Sequence, residues 1–85
     1  MTNKMTYTKD PSPNWTKGEM NGYTFYVKHY EEGSEYGIEN GRISKLEIRK
    51  DGSTLVNYDR GWDIRLAETD KAVKEVYDAI IAEFN

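Results

Sequence analysis

The sequence predicts an α+β fold: a four-stranded antiparallel β-meander with one C-terminal helix packed on one face, in the order ββββα. Two observations predict it. Short segments of period two are punctuated by turn dipeptides at Asn21-Gly22, Asn40-Gly41 and Asp51-Gly52, and the last segment switches to a helical period. The chain has 85 residues, which bounds it to one small core.

Met1 to Asn14 hold Pro11 and Pro13 among Thr, Asn and Lys without periodicity, and read as a flexible N-terminal arm (1–14). Trp15 stands at its junction with the folded domain, 15–85. Asn21-Gly22 separates a first strand, Trp15–Met20, from a second, Tyr23–Tyr30, in which 23, 25 and 27 alternate with 24, 26 and 28. Asn40-Gly41 reads as a second tight turn before the strand Arg42–Lys50. Leu46 and Ile48 share one face there, as do Val56 and Tyr58 on the fourth strand. A bare two-residue turn at Asp51-Gly52 would set Leu46 opposite Asn57. A three-residue loop, Lys50-Asp51-Gly52, pairs 46 with 56 and buries all four apolar residues together, so burial selects the longer loop. Val73, Val76, Tyr77, Ile80, Ile81 and Phe84 then form a helical stripe, with Thr69 or Asp70 as cap and an Asp70–Lys74 pair on its first turns.

Composition narrows the function classes. Leu, Ile, Val and Phe number 15 of 85, low enough to raise disorder, but the net charge is only −3 and aromatic residues make up 13%. The absence of Cys excludes disulfides, thiolate metal sites and a Cys nucleophile. His29, the one His, lacks a nucleophile in a recognisable setting, and the seven glycines are scattered at turns rather than gathered in a phosphate loop. Asp59 and Asp63 are separated by Arg60, which opposes a cation between them. A non-enzymatic protein with no cofactor and no metal is expected. No apolar run has the length of a membrane span and the N-terminus lacks a secretory h-region, so an intracellular, cytoplasmic location is expected.

Charge is segregated along the chain. Residues 29–41 carry Glu31, Glu32, Glu35 and Glu39 with no Lys or Arg, whereas 42–50 carry Arg42, Lys45, Arg49 and Lys50 against Glu47. Carboxylates spaced over a loop imitate a phosphate backbone and suit a basic groove of a nucleic-acid enzyme. Glu31, Glu32, Glu35, Tyr36 and Glu39, with Asp59, Arg60, Trp62 and Asp63, are therefore the candidate partner-binding residues. Trp62 and Arg60 are residue types that dominate interface hot spots, although a core role for Trp62, on one face with Val56, Tyr58, Ile64 and Leu66, competes with that reading. Arg60 between Asp59 and Asp63 suggests a local ion-pair clasp. The alternative is a single-stranded nucleic-acid surface built from Arg42, Lys45, Arg49 and Tyr26.

The strings Tyr30-Glu31-Glu32-Gly33-Ser34-Glu35-Tyr36-Gly37-Ile38, Gly41-Arg42-Ile43-Ser44-Lys45-Leu46 and Asn57-Tyr58-Asp59-Arg60-Gly61-Trp62-Asp63 resemble a family of short uncharacterised proteins encoded by phages and prophages of Gram-positive bacteria. The resemblance spans about 15–85 and implies an accessory protein of a mobile element, with no catalytic residues to carry over. It makes an inhibitor of a host nucleic-acid-directed defence complex, anti-CRISPR-like, the leading expectation, with a host protein as partner. A phage structural or assembly component, dimerising through an edge strand, is a further alternative.

Overall fold

The computed structural model describes residues 5–65 and 70–85. Turn chemistry sets its frame. Asn21 and Gly22 take φ of 54° and 82°, and Asp51 and Gly52 take 52° and 81°, so each dipeptide makes the two-residue hairpin that paired left-handed residues allow. Around these turns run β1 (Thr6–Lys9), β2 (Trp15–Met20), β3 (Tyr23–His29), β4 (Ile43–Lys50), β5 (Ser53–Asp59) and β6 (Trp62–Ile64), then α1 (Lys71–Phe84). The strands form one antiparallel sheet in chain order.

The architecture is α+β with the C-terminal helix on one sheet face, but the sheet has six strands rather than four. The additions are the edges. Thr6–Lys9, expected within a flexible arm, pairs with β2 from Thr6↔Glu19 to Lys9↔Thr16. Trp62–Ile64 returns along β5. Asn40-Gly41 does not close a hairpin. It belongs to a long connection, 30–42, whose 3₁₀ turn is Ile38–Asn40.

The β4–β5 register also corrects the sequence reading. The turn is the two-residue one, and Arg49 pairs with Thr54. The ladder then shifts, so that Ile48 meets Val56 and Leu46 meets Tyr58, leaving Leu55 as the extra residue of a bulge. The four apolar side chains do share a buried face, as burial demands, but a bulge restores their parity where a longer loop was expected.

That face carries the core. Phe25, Val27, Leu46, Ile48 and Val56 are at most 1% exposed and meet Val73, Val76, Ile80 and Phe84 of α1. Tyr77 and Ile81, the rest of the stripe, are half-buried at its margin. Asp70 caps the helix, accepting from Val73 N at 3.1 Å; Thr69, like Leu66, lies outside the described residues. Lys74 pairs with Asp78 at 2.6 Å rather than with Asp70. Tyr7 ties β1 to the helix, its ring 5.1 Å from that of Phe84 and its hydroxyl donating to Glu83 at 2.8 Å. Gly18 beneath it must be small, because a methyl group there would overlap Thr6 O, the Phe25 ring and Tyr7 Cβ.

Asn85 fastens the 30–42 connection. Its Oδ1 accepts from Ile43 N at 2.9 Å and its Nδ2 donates to Ile38 O at 3.1 Å, while its own N–H closes α1 on Ile81 O. Gly41 leaves the space for this side chain, since a Cβ would fall on it. Asn85→Ala removes the side-chain acceptor of Ile43 N and one of the two donors to Ile38 O, which keeps Gly41 N at 2.8 Å, and a loss of about 1–3 kcal/mol is expected in urea unfolding.

Candidate partner-binding surface

Strand parity decides what the sheet shows to solvent. With the core on one side, Trp15, Lys17 and Glu19 of β2, Thr24, Tyr26 and Lys28 of β3, Lys45, Glu47 and Arg49 of β4, and Asn57 and Asp59 of β5 fall on the other. No described element covers them. The pairings Trp15↔Lys28, Lys28↔Lys45 and Lys45↔Asp59 make one row across four strands.

The rings of Trp15 and Tyr26 meet edge to face at 6.0 Å. Lys28 Nζ stands 5.9 Å from the Trp15 ring centre and 5.7 Å from that of Tyr30. Most of the strand-β4 charge is locally answered: Lys45 pairs with Asp59 at 3.5 Å and Arg49 with Glu47 at 3.8 Å. Trp15, Tyr26, Lys45, Glu47, Asn57 and Asp59 line a shallow depression of about 500 Å³.

The row ends where two of the sequence-predicted segments meet. Tyr58 hydroxyl donates to Tyr36 O at 2.7 Å, and the Arg60 guanidinium lies 4.6 Å from the Tyr36 ring centre. Arg60 reaches this place from left-handed backbone, φ 59°, its N–H donating to Ser44 O at 2.9 Å. Glu39 is also left-handed, at φ 50°. Such geometry costs roughly 1–2 kcal/mol in a residue that is not Gly, Asn or Asp. The expected clasp is corrected: no ion pair joins Arg60 to Asp59 or Asp63 among the described residues, Asp59 being turned to Lys45.

The predicted site residues thus divide. Asp59 is on the open face, Arg60 and Tyr36 meet each other where β5 ends, and Glu31, Glu32 and Glu35 are exposed on the 30–42 connection, Glu31 lining a separate hollow with His29 and Arg42. Trp62 belongs to the margin of the core, with its ring 5.0 Å from Tyr58 and 6.0 Å from Tyr77 and the Arg65 guanidinium over it at 5.3 Å. Glu39 is on the helix side: burial first, then its carboxylate, holds the Tyr77 phenol above its usual pKa. Of the alternative set, Tyr26, Lys45 and Arg49 share the open face. Arg42 does not; its Nε donates to Asn85 O at 3.4 Å. Trp15, Lys17 and Lys28 went unselected by sequence reasoning, although parity across the Asn21-Gly22 turn was signal enough to find them.

His29 is half-buried, bonded through Nε2 to Thr16 Oγ1 at 3.1 Å, with its ring centre 4.9 Å from that of Phe84. Burial, then the charges of Arg42 and Lys9, holds its imidazole below the usual pKa. Among the described residues no three His, Asp or Glu gather as a metal-ligand set, and no helix is long and apolar enough to cross a membrane.

The chain belongs to the family described as Domain of unknown function (DUF7678), whose model matches residues 14–85. No curated protein and no solved structure matches it.

Two outcomes follow from this geometry. Tyr58→Phe removes the bond to Tyr36 O, costing about 0.5–1.5 kcal/mol, with faster amide hydrogen exchange at Ser34 and Gly37 as the local signature. His29 binds fewer protons folded than unfolded. Its contribution is therefore complete above the ordinary imidazole value of about 6.5 and is lost as pH falls through its lowered folded value. The stability gap between the wild type and His29→Gln narrows over that acid range, as urea titrations at successive pH values will show.

Proposed function

We propose that this member of the family is a non-enzymatic binding protein whose partner is a protein, seated on the open sheet face and reaching the Tyr36–Arg60 edge. The observation that carries the reading is the pairing of rings and charges on that face. Trp15 and Tyr26 present apolar area, while Lys45 and Arg49 are already opposed by Asp59 and Glu47. A surface of rings among self-compensated charges favours the anchors of a protein interface over the net positive field that a nucleic acid requires. Glu31, Glu32 and Glu35, exposed on the 30–42 connection, favour a partner that also carries a basic region, as the nucleic-acid-facing side of a nucleic-acid enzyme is. The resemblance to phage-encoded proteins gives the finer form of the proposal: a cytoplasmic inhibitor of a host nucleic-acid-directed defence complex of the CRISPR kind.

Trp15, Tyr26 and Lys28 on one face also favour a second reading, a single-stranded nucleic-acid platform, with Lys17 and Lys28 following phosphates.

One set of baits separates the two. The wild type, a Trp15→Ala/Tyr26→Ala variant and a Glu31→Lys/Glu32→Lys/Glu35→Lys variant are compared for binding to the host protein that the wild type captures. Loss of the two rings is expected to weaken binding at least about thirty-fold through dissociation, and charge reversal to slow association and reduce its salt dependence. A labelled single-stranded oligonucleotide is expected not to shift at low salt. If it binds with a salt slope of several charges, and the ring variant leaves protein capture intact, the nucleic-acid reading replaces the first.

A further inference from the structure

On the other side of Trp15, the β1–β2 connection, residues 10–14, arches over the end of β3 and encloses a hollow of about 400 Å³. Lys9 from β1, His29 from β3 and Arg42 from the 30–42 connection converge on it, three basic side chains from three separate segments. Ser12, Asn14 and Thr16 add hydroxyl and amide groups to its lining.

We propose that this hollow is an anion site that takes a phosphate group, held by Lys9 and Arg42 with His29 as the proton-responsive third ligand. The segments that carry the two cations are held by the fold. The Lys9 backbone lies on the ladder opposite Thr16, and Arg42 Nε donates to Asn85 O. Neither forms an ion pair with a side-chain carboxylate among the described residues. The carboxylates nearby are Asp10 and Glu31 in the lining and Glu83 on α1. Asp10 Oδ1 accepts from Ser12 N at 3.0 Å, and Glu83 is engaged by Tyr7. After burial, the charges that hold the His29 imidazole below its usual pKa are those of Arg42 and Lys9. His29 Nε2 is taken by Thr16, and no described group bonds its Nδ1. A bound anion reverses the balance there, favouring the imidazolium that burial and the two cations disfavour. Anion binding and His29 protonation are therefore linked, each strengthening the other.

His29 is the one His of the chain, so its imidazole resonances are unambiguous in the labelled full-length protein. Its titration between pH 4.5 and 8 is followed by NMR in sodium chloride, sulfate and inorganic phosphate at equal ionic strength, and with adenosine 5′-monophosphate. Sulfate, whose charge is constant over this range, isolates the histidine from the titration of phosphate itself. The expected result is a saturable rise in the His29 pKa with sulfate and phosphate and tighter binding at lower pH. Lys9→Gln and Arg42→Gln should each weaken the affinity about ten-fold or more. Equal affinity for phosphate and the nucleotide assigns the hollow to a free anion, and tighter nucleotide binding adds a ring contact to it. Either result supports the site. An unchanged pKa in both anions overturns it, as does a shift that persists in Lys9→Gln, which is exposed and removes no packing, should Arg42→Gln disturb the fold.

Discussion

The structure depends on the contact between one amphipathic helix and one face of a six-stranded sheet. Val73, Val76, Ile80 and Phe84 are the cover for Phe25, Val27, Leu46, Ile48 and Val56, and no second helix is available to cover the reverse side among the described residues. A β-strand alternates its side chains strictly, so sealing one face consigns every second residue of the central strands to the other. The surface proposed for binding is thus the geometric remainder of the core. Ile80→Ala, at a fully buried site, would be expected to cost about 2–5 kcal/mol, a large share of the stability of a domain this small.

What the sequence reveals follows the strength of that constraint. The helix is legible because six apolar residues repeat at its period, and the central strands because 23, 25 and 27 alternate between clear turns. The edges are not. Every residue of β1 is exposed, so Thr6-Tyr7-Thr8-Lys9 has no apolar alternation, and what holds it is the ladder to β2 with the Tyr7 contacts to Phe84 and Glu83. β6 is three residues long and begins after a left-handed Arg60, a conformation that side-chain chemistry does not announce. The bulge at Leu55 is hidden for another reason: burial fixes the parity of a register but not its value, and two registers differing by two residues bury the same four side chains.

The candidate site was legible in proportion to the regularity of its backbone. Tyr26, Lys45 and Arg49 share a face because they lie on regular ladders, and Trp15 and Lys28 follow from the same arithmetic. The irregular segments gave up their residue types but not their directions. Tyr36 and Arg60 are 24 positions apart in the sequence, yet they stack because the Tyr58 hydroxyl holds Tyr36 O and Ser44 O holds Arg60 N–H. Glu39, grouped in sequence with Glu31, Glu32 and Glu35, turns toward Tyr77 through its positive φ. Trp62 has the residue type of a hot spot and a half-buried position at the margin of the core.

Trp15 joins the two surfaces of the molecule. It lines the depression on the open face and the hollow of Lys9, His29 and Arg42, as do Asp10 and Ser12 from the connection that separates them. That connection is held at both ends, by Asp10 N donating to Trp15 O at 3.0 Å and by His29 N donating to Asn14 O at the same distance. The proposed anion and the proposed partner therefore bind against one shared wall. Any effect across that wall is reciprocal by linkage: whatever occupancy of the hollow does to binding on the open face, a partner there does to the affinity for the anion.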